Sequence, residues 1–133
     1  MKPLIIKATD ITPQVYFNLN EQRMELRGRC FPTNPAKFFI PLINWMNENL
    51  EKEPVNSEVE IKLEHYNTGA YIQLLAVFNL LAEKNSQGHN LKVLWYVETA
   101  DDEGMDNARS FKDVVDLPFD IKHLPSIDFS CDL

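Results

Sequence analysis

From Ser57 to His65 polar and apolar residues alternate without a break. Val59, Ile61, Leu63 and His65 share one face, and Glu58, Glu60, Lys62 and Glu64 the other. The stretch Arg23 to Arg29 repeats the pattern, Met24 and Leu26 alternating with Glu25 and Arg27. A period of two is that of a strand with one buried face. A strand covered by helices on both sides would be apolar throughout, so this patterning predicts a sheet with helices on one side and solvent on the other. His65 falls at the inward register, where the bland reading is a satisfied structural histidine.

Elsewhere the period lengthens to that of a helix. In LEHYNTGAYIQLLAVFNLLAE, Leu63 to Glu83, a strand turns at Asn67-Thr68-Gly69 into the most apolar helix of the chain. Ala70, Leu74, Val77, Phe78 and Leu81 recur at helical spacing, widened by Tyr71, Leu75 and Ala82. Asn67 and Thr68 both have side-chain oxygens able to cap its first turn; Thr68 could equally be a modifiable hydroxyl at a strand-to-helix corner, and spacing leaves both readings open. An earlier helix follows Asn34 and Pro35, a cap and a first-turn proline, with Phe38, Phe39, Leu42, Ile43, Met46 and Leu50 as its stripe. Pro41 inside it predicts a bend, and Trp45 is assigned to the core.

The remaining elements complete an α/β domain. Strands are predicted at 4–8, 15–19 and Leu91–Glu98, and Gly88 supplies a left-handed residue after the central helix. Thr99–Asp106 reads as an acidic loop or helix start, Asn107–Val115 as a shorter helix, and Leu117–Ile121 as the turn into a last strand. The expected architecture is two-layered: a mixed sheet, antiparallel strands first, then β-α-β-α-β units with parallel strands and right-handed crossovers. Residues 1–133 form a single domain in this reading, with the tail 125–133 loosely held.

Composition narrows the function. A formal charge of −7 disfavours nucleic-acid backbones and anionic membranes, both of which need clustered Lys and Arg. No apolar run reaches transmembrane length and the N-terminus lacks a signal-peptide core. Cys30 and Cys131 form neither a disulfide framework nor a zinc spacing, which suits a reducing cytoplasm. The histidines at 65, 89 and 123 lack ligand spacing, and Asp101-Asp102-Glu103 with Asp106 lacks the calcium-loop pattern. No catalytic motif, metal site or cofactor signature is found, which favours a protein that binds proteins. The competing reading is a small α/β enzyme or ligand-binding domain with a pocket near His65 and Tyr66.

Three blocks together resemble one family. Residues 31–46 (FPTNPAKFFIPLINWM) are similar to its first-helix signature, 63–81 (LEHYNTGAYIQLLAVFNLL) to its tyrosine-Asn-Thr block, and 95–119 (WYVETADDEGMDNARSFKDVVDLPF) to its Trp-Tyr, acidic and Pro-Phe block. This is the SiaC family of bacterial regulatory phosphoproteins, similar in fold to STAS anti-sigma-factor antagonists. The resemblance implies a non-enzymatic partner switch. A dedicated serine/threonine kinase would phosphorylate Thr68 and a PP2C-type phosphatase restore it. The unmodified protein would bind an effector, a diguanylate cyclase in the best-known case, promoting cyclic-di-GMP synthesis and so biofilm regulation. Tyr66, Asn67, Gly69 and Tyr71 around Thr68 become the expected partner-binding residues. In one respect the chain departs from the family: two serines and a basic residue usually follow the threonine, where this chain has Gly69-Ala70-Tyr71-Ile72.

Overall fold

The computed structural model describes residues 2–51 and 53–133. Strands β1 (Leu4–Ile6), β2 (Gln14–Asn18) and β3 (Arg23–Cys30) come first, a single 3-10 turn at Leu19–Glu21 joining the last two. Helix α1 (Pro35–Asn49), strand β4 (Asn56–Tyr66), helix α2 (Thr68–Ser86), strand β5 (Asn90–Glu98), helix α3 (Asp102–Val114) and strand β6 (Phe119–Leu124) follow. The six strands form one sheet in the order β1-β2-β3-β4-β5-β6. The β1-β2 and β2-β3 pairs are antiparallel, and β3 to β6 are parallel. Three crossovers that advance in one direction along a sheet, all of one hand, leave their helices on the same face. The expected mixed two-layer α/β fold is therefore present, with a third strand–helix–strand unit, β5-α3-β6, completing it.

The core lies between the sheet and the helices. Val15 and Phe17 of β2, Met24 and Leu26 of β3, Val59 and Ile61 of β4, and Val93 and Trp95 of β5 are buried there. Phe39, Leu42 and Met46 of α1, Leu74, Phe78 and Leu81 of α2, and Phe111 of α3 meet them. Phe78 packs edge-on against Trp95, Phe111 and Phe119, knitting α2, α3, β5 and β6 together. Trp45 stacks obliquely on Phe17 and donates from Nε1 to the Lys2 carbonyl at 2.8 Å. Helix α1 runs through Pro41, which is exposed, so its missing N–H lies on the solvent side. Gly88 takes a positive φ of 108° after α2.

Three expectations need correction. His65 is not inward: its side chain is 66% exposed. Gly28 pairs with Leu63 but Arg29 with His65, so Glu64 is an extra residue in β4. A one-residue bulge reverses every side chain beyond it, sending His65 out and Tyr66 in against Trp95, at 5.6 Å and nearly perpendicular. Helix α3 begins five residues early because Asp101 caps it, accepting from Gly104 N at 2.9 Å, and Asp102 and Glu103 favour its positive end.

The third correction concerns the open face. Glu25 points there yet is only 2% exposed. Arg27 and Lys62 reach it at 3.0 Å and Arg23 at 3.3 Å; these cations offset the like charge of Glu60, its neighbour across the strands. Arg23 lies over the Tyr16 ring and Lys62 over Tyr96. The segment expected to be loose, 125–133, crosses this face: Ile127 is buried, Arg27 donates to the carbonyls of Asp128 and Ser130, and Leu133 N donates to Gln14 Oε1.

Candidate functional site

All three helices begin at the end of the sheet where β3, β4 and β5 finish. The Asn67–Thr68 corner sits among those N-termini. Asn67 is extended and is the N-cap of α2; its Oδ1 accepts from Ala70 N at 2.8 Å and its carbonyl from Tyr71 N at 3.0 Å. Asn67 N donates in turn to the Cys30 carbonyl at 3.3 Å, tying the corner to the end of β3. Thr68 is the first helical residue and is exposed. The cap is thus Asn67, and the Thr68 hydroxyl is not engaged in capping.

The first turn of α2 contains no acidic side chain. The N–H groups of Thr68 and Gly69 precede the first rung of the helical ladder, and the positive end of the helix dipole is not offset there. Gly69 nestles against α1, where an added Cβ would stand 2.7 Å from Pro35 Cγ.

On the other flank, α3 holds both tyrosines. Asn107 Nδ2 donates to the Tyr66 hydroxyl at 2.9 Å, and the Tyr71 hydroxyl donates to Ser110 Oγ at 2.8 Å. The Tyr71 ring stacks on Phe111 with centroids 4.3 Å apart. Burial pushes the Tyr66 phenol above its ordinary value; Asn107 opposes this, while Asp101 and Glu103 add to it. Tyr66 is therefore a neutral phenol under ordinary conditions. A shallow cavity of 300 Å³ opens between Thr68, Tyr71, Glu103 and Asn107. A second, of 390 Å³, shares Tyr66, Glu103 and Asn107 with it and also has His65, Tyr96, Glu98 and Phe129 in its walls.

Thr68, Tyr66, Asn67, Gly69 and Tyr71 thus occupy one corner, in different surroundings. Thr68 and Asn67 face solvent, Gly69 is pressed against α1, and both tyrosine hydroxyls are taken by α3. Asn107 and Ser110 also shape the site and were not anticipated; Glu103 and Pro35 do so too, and were read only as part of an acidic loop and as a first-turn proline. The contacts they make span some 30 to 40 residues of sequence, and the one available signal was the helical periodicity that puts Phe111 on the buried side of α3.

A model of the family described as "SiaC family regulatory phosphoprotein" matches residues 6–124. The chain belongs to the SiaC family. An uncharacterised Pseudomonas aeruginosa protein is 23% identical over 122 residues, covering 92% of this chain and 97% of the relative. Among solved structures, SiaC of Pseudomonas aeruginosa superposes with a TM-score of 0.84 at 23% identity, covering 93% of this chain and all of the other. A chain from the crystal structure of diguanylate cyclase SiaD in complex with its activator SiaC gives 0.85 at 22% identity, covering 91% of this chain and 99% of that one. At this identity the structural likeness speaks for a shared SiaC fold. Among the described residues no helix is long and apolar enough to cross a membrane.

Proposed function

We propose that this SiaC-family chain is a non-enzymatic switch, reversibly phosphorylated on Thr68, whose unmodified form binds and regulates an effector in the cytoplasm. The observation that carries this reading is the exposed Thr68 hydroxyl at the first position of α2, free of the capping role that Asn67 fills. A phosphate there brings about −1.5 to −2 charges and three acceptor oxygens. The unpaired first-turn N–H groups and helix dipole accommodate that charge, so the fold tolerates it. A partner that covers the neutral hydroxyl would instead bury an uncompensated charge, at a cost of about several kcal/mol. One modification thereby preserves the fold and ends the complex.

The switch needs a serine/threonine kinase and a PP2C-type phosphatase. The described complex of SiaD with its activator SiaC supports a diguanylate cyclase as the class of effector. The test is phosphopeptide mapping of protein from its native cell, then pull-down with unmodified and phosphorylated forms. A phosphate on Thr68 and an effector retained by the unmodified form alone are expected. Native protein without that phosphate, or equal retention by both forms, would remove the basis of the reading. The cavity beside His65 and Tyr66 keeps a ligand-binding domain as the second reading, which a metabolite co-purifying with native protein would favour.

A further inference from the structure

The segment after β6 makes contacts that bear on the corner from the opposite side of the sheet. Ile127 is buried and its N–H donates to Glu98 Oε2 at 3.1 Å, fastening the segment to the end of β5. Arg27 of β3 donates from a guanidinium nitrogen to the Asp128 carbonyl at 3.3 Å, and Leu133 N reaches Gln14 at the start of β2 at 3.2 Å. Between these anchors the Cys131 thiol donates to the Arg27 carbonyl at 3.4 Å. Its sulfur lies 3.3 Å from where a Cβ on Gly28 would stand. Gly28 has a φ of 118°, open to glycine and strained for other residues, and it is the last residue of β3 before the register shift.

That position matters because the bulge aims the corner. Beyond the shift, Arg29 pairs with His65 and Cys30 with Tyr66, and the Cys30 carbonyl holds Asn67 N. The path from the Cys131 sulfur to the α2 cap is therefore short and continuous: Gly28, Cys30, Asn67. On the second path, Glu98 and Phe129 share with Tyr66 the walls of the 390 Å³ cavity.

We infer that residues 125–133 are a strap that braces, from the open face, the β-bulge setting the geometry of the Thr68 corner. Lifting the strap loosens the first turn of α2, and anything that competes for the open face acts on the switch residue through the sheet. The inference takes the Thr68 corner as the working site, but its test reads backbone protection and not phosphorylation, so either can fail without the other.

The experiment is amide hydrogen exchange on the full chain, comparing the parent with Ile127→Asp. A charge at this buried anchor, next to Glu98, releases the strap and leaves the strands unchanged. A second perturbation is N-ethylmaleimide on Cys131, which is exposed; Cys30 is buried and burial holds its thiol at a pKa of about 12, so it stays unreacted. Exchange at Asn67, Ala70 and Tyr71 should quicken by about tenfold, a local opening, with Leu50 and Val93 unchanged. Unaltered corner amides overturn the inference, and so does a uniform acceleration, which would mean only a global loss of stability. If Ile127→Asp does not fold, the Cys131 adduct decides by the same comparison.

Discussion

Gly69 stands so close to Pro35 that a Cβ built on it would lie 2.7 Å from the proline Cγ. The first turns of α1 and α2 are in contact there, and the missing side chain permits it. This gives a physical reason for glycine at this position. Gly69→Ala should therefore lose stability even though alanine is the better helix former. The expected net cost is about 1 kcal/mol, overpacking of about 1–3 kcal/mol set against a propensity gain of up to about 1. Pro35→Ala should relieve it, so a double-mutant cycle by urea denaturation should show positive coupling. Additive effects in that cycle would mean that the contact does not constrain the residue.

The cap, Asn67, and its exposed neighbour Thr68 are adjacent and separable. Asn67→Ala removes the acceptor for Ala70 N and should cost about 1 kcal/mol. Thr68→Ala should change stability by less than about 0.5 kcal/mol, a surface value. Thr68→Asp adds an anion to a first turn that has none and should stabilise by about 0.3–1 kcal/mol. Under the proposed function that same variant binds the effector more weakly, and Thr68→Ala binds as the parent does. Stability and affinity then move in opposite directions for Asp, a combination no simple cap produces. Thermal melts beside effector titrations read both quantities.

Much of this fold is legible because its signals are local. The alternation of Val59, Ile61 and Leu63 reported the buried face of β4, and the spacing of Leu74, Phe78 and Leu81 reported that of α2. What stayed hidden depends on partners distant in sequence. Alternation continued through His65, and nothing in that stretch signals that Glu64 would be bulged out opposite Gly28. Burial of Glu25 requires Lys62 from the neighbouring strand and the chain end crossing above Arg27. At the corner, both capping residue types were visible, but choosing Asn67 over Thr68 needed the backbone conformation of each.

Helix α2 should tolerate little in its core. Leu74 and Phe78 are both fully buried, and Phe78 contacts three other aromatic rings. Leu74→Ala should cost about 2–5 kcal/mol and Phe78→Ala about 3–5. Equilibrium urea melts provide the values. Losses under about 0.5 kcal/mol, the surface scale, would mean that this stripe is not core and would make it a candidate partner surface.

Glu25 should give the fold an acid-sensitive component. Burial alone would raise its pKa, but hydrogen bonds from Arg27 and Lys62, with their charges, outweigh it and hold the carboxyl below its ordinary value of 4.5. The folded state thus binds this proton more weakly than the unfolded chain. By linkage, the stabilisation is complete above the unfolded value and disappears as pH falls through the depressed folded value. Glu25→Gln removes the carboxylate and leaves Arg23, Arg27 and Lys62 facing one another. It should cost about 1.5–3 kcal/mol near neutrality, the range for hydrogen bonds to charged groups. The gap between the two proteins should narrow as pH drops below about 4.5 and close once the parent's carboxyl is protonated. Urea melts across that range test both the size and the sign. A gap that stays constant from neutral to strongly acid pH would mean that Glu25 contributes through packing and not through its charge.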